Sequence, residues 1–158
     1  MSKTIVSLNE IEKRTTAALI SHGAEEWVAK EVAKAVRLAE ATGNLICGLY
    51  YLESYCMQLL SGRVNGKAIP EVFKPKPGSV LVDAKYGFSQ AAFCIGLPNA
   101  IKAVTENGIA LLGIAHAHTC TSLGFFTKQI AESGFVGIGF GNASSVVAPP
   151  GGKKPVLG

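Results

Sequence analysis

No apolar run in this 158-residue chain approaches the roughly 20 residues that a membrane span requires, so no membrane partner is expected. The amino terminus, MSKTIVSLNEIEKR, turns polar and helical at once, which argues against a signal peptide. Cys47, Cys56, Cys94 and Cys120 are widely spaced without a CxxC pair, leaving reduced thiols in a cytoplasmic protein as the expectation. Basic residues occur in three separated stretches and are not interleaved with aromatics, so no nucleic-acid partner is expected. The GIGFG run has alternating glycines but no G-x-G-x-x-G opening a helix, and Pro149 and Pro150 follow shortly, so a Rossmann phosphate turn is excluded there. Walker, HExxH and GxSxG motifs are also missing.

What is present is the composition of a single domain with a sizeable core. Hydrophobic residues make up 48% and charged residues 16%, the balance of an α/β protein rather than a disordered one. The net charge of +4 suits attraction of small anions. Ser7 with Glu10 reads as a capping box opening a first helix that ends at Gly23. A second helix is predicted from about Glu25 to Thr42, stopped by Gly43, with His22 as an exposed helix-end residue between the two. A third is predicted within NLICGLYYLESYCMQLLSGR, with Leu49, Leu52, Cys56, Leu59 and Leu60 facing inward.

Residues 63–78, rich in Pro and Lys, read as a connector with room for an extended stretch. SVLVDA (79–84) reads as a strand. A helix capped by Ser89 is predicted to run to Asn107, with a kink or break near residues 95–98 because Pro98 lacks an N–H. IALLGIA then reads as a strand, SLGFFTKQIAES as a helix with Ser122 as a cap, and FVGIGFG as a strand covered on both faces. The expected fold class is α/β: amino-terminal helices followed by a βαβαβ segment. The final stretch, NASSVVAPPGGKKPVLG, carries no signal strong enough to close a domain, so an incomplete fold is expected.

The stretch LLGIAHAHTCTS (111–122) concentrates the chemistry. It runs from a strand's carboxyl end to a helix start, where open α/β folds place ligands, and it holds His116, His118 and Cys120. If the extended conformation persists, His116 and His118 share one face and can chelate a metal with Cys120 next in line. As neutral imidazoles they can instead take and return a hydroxyl proton, the need of an enzyme that interconverts an alcohol and a ketone. Ordinary polar residues satisfied by backbone at a strand end are the third reading.

AEATGNLICGLYYLESYCMQLLSGRVN (39–65), DAKYGFSQ (83–90), the His loop running into SLGFF, and GFVGIGFGNASSVVAPPGGKKPVLG (134–158) together resemble the malate/L-lactate dehydrogenase family of the non-Rossmann type. That family includes ureidoglycolate, sulfolactate and diketogulonate dehydrogenases and cyclic-imine reductases. The resemblance implies an NAD- or NADP-dependent oxidoreductase that interconverts a small 2-hydroxy acid and 2-oxo acid by hydride transfer, working as a homodimer on a small anionic substrate. It divides the chain into a helical segment 1–62, a connector 63–78 and an α/β segment 79–158 that stops before the cofactor domain.

Typical members carry Ser-His-Gly and, three residues on, an Arg, where this chain reads Ile46, Cys47, Gly48 and Tyr51. Only Gly48 matches, and Cys47 and Tyr51 are expected to line the substrate pocket in place of the His and Arg. The proton-transferring His of the family falls on Thr119, so a one-residue adjustment gives that role to His118, with His116 as its neighbour. Asn142, Ala143 and Ser144 are expected near the cofactor, and no metal is assigned. The rival readings are a non-catalytic relative or fragment, a cyclic-imine reductase and a metal-binding module.

Overall fold

The computed structural model describes residues 5–118, 121–143, 145 and 147–156. It opens with α1 (Leu8–Ser21) and α2 (Glu26–Ala41), which pack on one another along their apolar stripes. Ser7 Oγ accepts the Glu10 N–H at 3.2 Å, but the Glu10 carboxylate turns to Arg14 at 2.6 Å, so only half of the predicted box forms. His22 ends α1 half-buried, with Nδ1 2.7 Å from the Ala18 carbonyl.

The predicted third helix is shorter than its pattern. Two 3-10 turns, Leu45–Cys47 and Leu49–Tyr51, precede α3 (Leu52–Leu60). That late start changes which residues face inward: Cys56 and Leu59 are buried as expected, Tyr55 joins them at 1% exposure, and Leu49 and Leu60 are exposed.

The connector supplies a strand. β1 (Glu71–Lys76) pairs antiparallel with β2 (Ser79–Asp83), and β2 pairs in parallel with β3 (Leu111–Ala115), giving the order β1-β2-β3. β1 tolerates Pro75 because it is an edge strand whose register slips between Phe73 and Lys76, so no ladder bond from that position is needed.

The crossover from β2 to β3 is α4 (Ser89–Asn107), and it runs unbroken through Pro98, against the predicted break. Pro inside a helix costs roughly 3 kcal/mol. Burial of Ala92, Ala100 and Ala103 against Val80 and Val82, on both sides of Pro98, offsets that cost. Gly96 lies so close to the sheet that a Cβ there would sit 2.7 Å from Val82 Cγ2 and 2.8 Å from Leu112 Cδ1. Ser89 is the first helical residue rather than the cap. It is buried, and its hydroxyl turns to Gln90 Oε1 at 3.3 Å.

α5 (Leu123–Glu132) follows the His loop, begins at Ser122 without a side-chain capping bond, and anchors through Phe125 and Phe126, with Phe126 edge-on to Phe93 at 4.9 Å. The predicted strand FVGIGFG does not form: residues 135–141 are not paired, and Val136, Ile138 and Phe140 are 94%, 76% and 90% exposed. A strand needs a hydrogen-bonding neighbour, and although β3 leaves one edge of the sheet open, residues 135–141 do not pair with it. The series is therefore βαβα with an antiparallel strand added in front. The class is α/β as expected. No helix among the described residues is long and apolar enough to cross a membrane.

Candidate active site

The carboxyl ends of β2 and β3 are joined by a ladder of backbone bonds that continues past the strands. Ala84 N–H donates to Ala115 O at 2.9 Å, Tyr86 N–H to His116 O at 2.8 Å, and His118 N–H to Gly87 O at 2.8 Å. Phe88 and His118 form a parallel bridge. Asn65 N–H donates to Tyr86 O at 2.9 Å, which ties the loop after α3 to the same place.

Among the described residues, four non-glycine residues have positive φ: Lys85 at 50°, Tyr86 at 61°, His116 at 49° and Thr121 at 53°. All four flank these strand ends. Left-handed backbone costs an L-residue on the order of 1–2 kcal/mol, and its concentration at one site marks a region shaped for side-chain placement rather than stability.

The positive φ of His116 ends the strand alternation, so the two histidines do not share a face. His116 is exposed and turns back to Asp83, with Nδ1 3.1 Å from Oδ1, while the Tyr86 ring lies against it at 5.5 Å. The Lys85 N–H, bonded to Asp83 Oδ1 at 2.8 Å, holds that carboxyl below its usual range, aided by His116 and the Lys85 ammonium. Lys85 also reaches Glu71 at 2.8 Å, which raises its pKa.

His118 is half-buried, its ring edge-on to Tyr55 at 6.1 Å and to Phe88 at 5.7 Å. Its Nε2 bonds to Gln58 Oε1. The Gln58 amide nitrogen donates to Ser54 Oγ at 2.8 Å, with the amide oxygen toward the ring. Nε2 therefore carries the proton in the neutral imidazole. Nδ1 is buried and meets no hydrogen-bond partner among the described residues. Burial, with the nearby positive charge of Arg63, lowers the His118 pKa. The result is a neutral imidazole with one nitrogen anchored and the other buried without a partner among the described residues.

Tyr51 connects to this cluster through Tyr55, ring to ring at 5.9 Å, and Tyr50 lies beyond it, exposed. Cys47 is half-buried in the first 3-10 turn, and no hydrogen bond or ring contact links it to His118 among the described residues. Gly48 has a physical reason to be glycine: a Cβ there would meet the Glu40 carboxylate at 2.1 Å, and that carboxylate accepts the Leu49 N–H at 2.7 Å. Asn142 and Ala143 are exposed in irregular chain and are not brought to His118 by any hydrogen bond among the described residues. Thr119, Cys120 and Ser144 lie outside the described residues. Among those described, no group of three or more His, Cys, Asp and Glu side chains converges as a metal site.

Sequence reasoning did not find Gln58, Ser54, Asp83 or Arg63. Gln58 lies 60 positions before His118 in the chain, with no local signal joining them. Asp83 carried one usable sign, a carboxylate at the end of a strand parallel to the one that precedes His116.

The malate/L-lactate dehydrogenase family profile matches residues 6–158. A (2R)-3-sulfolactate dehydrogenase (NADP(+)) of Chromohalobacter salexigens is 36% identical over 155 residues, covering 98% of this chain and 46% of that protein. Delta(1)-pyrroline-2-carboxylate reductase 1 of Burkholderia ambifaria is 30% identical, covering 100% of this chain and 46% of the relative. The chain thus spans about half the length of the curated relatives it matches. The crystal structure of delta1-piperideine-2-carboxylate reductase from Pseudomonas syringae pvar. tomato superposes with a TM-score of 0.80 at 29% identity, over 84% of this chain and 40% of that one. Malate dehydrogenase from Pyrococcus horikoshii OT3, at 24% identity and TM-score 0.77 over 83% of this chain and 38% of that one, shares the fold. The profile match over nearly the whole chain and the superposition on the piperideine-2-carboxylate reductase make the chain a member of the malate/L-lactate dehydrogenase family.

Proposed function

We propose that this chain is the amino-terminal part of an NAD(P)-dependent oxidoreductase that interconverts a small 2-hydroxy acid and its 2-oxo acid, with His118 as the proton carrier. The observation that carries the reading is the state of His118: Nε2 anchored on Gln58, Nδ1 without a partner among the described residues, and a pKa lowered by burial and Arg63. A bound nicotinamide supplies the acceptor or donor of the hydride at the substrate's C2. This chain's part is the proton, taken from the C2 hydroxyl by the His118 imidazole as the carbonyl forms and returned in the reverse direction.

His116, held by Asp83, stands beside the pocket as the second imidazole. Cys47, Tyr51 and Thr119 are assigned to the substrate by this reading, an assignment supported for Tyr51 by its ring contact with Tyr55 next to His118. Asn142, Ala143 and Ser144 are assigned to the cofactor by this reading. The exposure of Asn142 and Ala143 suits a ligand contact better than a core role. The exposed apolar residues Leu45, Ile46, Leu49 and Tyr50 support assembly as a homodimer. Free thiols at Cys47, Cys56 and Cys94 suit the reducing cytoplasm.

A cyclic imine carboxylate is the second substrate reading, favoured by the similarity to pyrroline- and piperideine-carboxylate reductases. NADPH fluorescence titration of the intact protein, followed by NADPH oxidation with 2-oxo acids and with cyclic imine carboxylates, separates the two. His118→Ala is expected to lower kcat about 10²- to 10⁴-fold, the contribution of a positioned acid or base, with cofactor affinity unchanged. An intact protein that binds no cofactor, or one that loses no activity on His118→Ala, overturns the reading.

A further inference from the structure

The loop that follows α3 is built with a strict alternation. Val64, Gly66, Ala68 and Pro70 are buried, while Arg63, Asn65, Lys67 and Ile69 are exposed. The loop is fastened at every step: Val64 N–H to Gln58 O at 3.2 Å, Asn65 N–H to Tyr86 O at 2.9 Å, and Lys67 N–H to Asn65 Oδ1 at 3.0 Å. At Gly66 a Cβ would come within 2.8 Å of Ala24 Cα and 2.9 Å of Gly23 O, so this backbone is clamped against the turn between α1 and α2. The cations at 63 and 67 are therefore carried on rigid chain and directed outward on one side.

They line one open cavity of 640 Å³ together with Lys85, Asn65 and Tyr86. Arg63 and Lys67 have no ion-pair partner among the described residues, whereas Lys85 is shared between Glu71 and Asp83. Neither carboxylate lines the cavity, and no other acidic residue does. Arg63 and Lys67 stand on fixed backbone with no acidic residue in the lining, while Lys85 is drawn to Glu71 and Asp83, so an anion in the cavity is attracted by the two charges that lack an ion pair among the described residues.

We propose that the cavity lined by Arg63, Asn65, Lys67, Lys85 and Tyr86 is a binding site for a tetrahedral oxyanion, a phosphate or sulfonate group. Cations that approach from two separate loops match the dispersed oxygens of such a group. A planar carboxylate would be satisfied by the Arg63 fork alone. The site adjoins the histidine loop, since Tyr86 bonds His116 through its backbone and lies against its ring, and the charge of Arg63 reaches His118. Two sources carry this chemistry: a phosphate of the cofactor, or an anionic group on the substrate away from the reacting carbon.

The test uses the intact protein and the variants Arg63→Gln and Lys67→Gln, with Lys13→Gln on the far helix as a control. Binding of inorganic phosphate is read by isothermal titration calorimetry, without turnover, so the result stands apart from the proton-transfer proposal. Each cavity variant is expected to weaken phosphate binding about tenfold, the loss of one charge-assisted hydrogen bond. Lys13→Gln is expected to leave it unchanged. The same variants titrated with NADP+ against NAD+, and with sulfolactate against lactate, identify the source: whichever phosphate- or sulfonate-bearing member loses affinity selectively is the ligand. A folded protein, checked by circular dichroism, that binds no phosphate, or whose binding is as strong in both cavity variants as in Lys13→Gln, overturns the proposal.

Discussion

Replacing Gln58 by Glu changes one atom and tests the state of His118 directly. In the native protein the Gln58 oxygen accepts the Nε2 proton, and its amide nitrogen is held by Ser54 Oγ at 2.8 Å, so the imidazole meets a neutral acceptor. Burial and the charge of Arg63 hold its pKa below the usual histidine value. A carboxylate in the same place attracts the imidazolium. At 4 Å and an effective dielectric of 20 that attraction is about 4 kcal/mol, equivalent to about three pH units at about 1.4 kcal/mol each. Desolvation of the new carboxylate and its lost donation to Ser54 oppose it, leaving a rise of about one to two pH units in the His118 titration midpoint.

The assay is the pH dependence of the His118 imidazole resonances, with His22 and His116 as internal references. The pH profile of kcat is expected to follow in the same direction. Stability reports the same change with opposite signs. Native His118 is protonated more readily in the unfolded chain, so its contribution is present above the unfolded pKa of about 6.5 and is lost as pH falls below it. In Gln58→Glu, once the folded pKa exceeds the unfolded one, the contribution is present below about pH 6.5 and is lost as pH rises through the folded value. A His118 midpoint that does not move in Gln58→Glu refutes the assignment of Gln58 as its partner and the tautomer derived from it.

Two further outcomes test the frame around the site. Gly96→Ala brings about 1 kcal/mol of helix propensity, but its Cβ meets Val82 and Leu112 under 3.0 Å. Overpacking of about 1–3 kcal/mol outweighs the gain, so the urea midpoint is expected to fall, and a rise would show that α4 can move off the sheet. Gly48→Ala displaces the Glu40 carboxylate and frees the Leu49 N–H, costing about 1 kcal/mol. Its proton-exchange signature is a faster-exchanging Leu49 amide, and an unchanged Leu49 would mean that the carboxylate is not its partner.

The helices and strands read from the sequence are those whose signals are local. Ser7 meeting Glu10, Gly43 after α2 and Gly108 after α4 at φ 76° each act within a few residues, and the β-branched content of SVLVD needs only its own backbone to declare a strand. The histidine loop was legible for the same reason: the strand that precedes it and the helix that follows both announce themselves, and ligand chemistry gathers between such elements.

What the sequence could not decide depends on partners distant along the chain. Pro98 sits in unbroken helix because the sheet presses Ala92, Gly96 and Ala100 from beside it. The FVGIGFG run has strand composition, but it is not paired with the open edge of β3, so composition alone misleads. His116 and His118 sit two apart in sequence, yet one turns to Asp83 and the other to Gln58, because the left-handed backbone at His116 breaks the alternation. Residue types and their spacing thus determined that an imidazole stands at the end of a parallel strand. Only the tertiary structure decided which imidazole is anchored, half-buried and neutral, because desolvation and a hydrogen-bond partner 60 residues away are properties of packing.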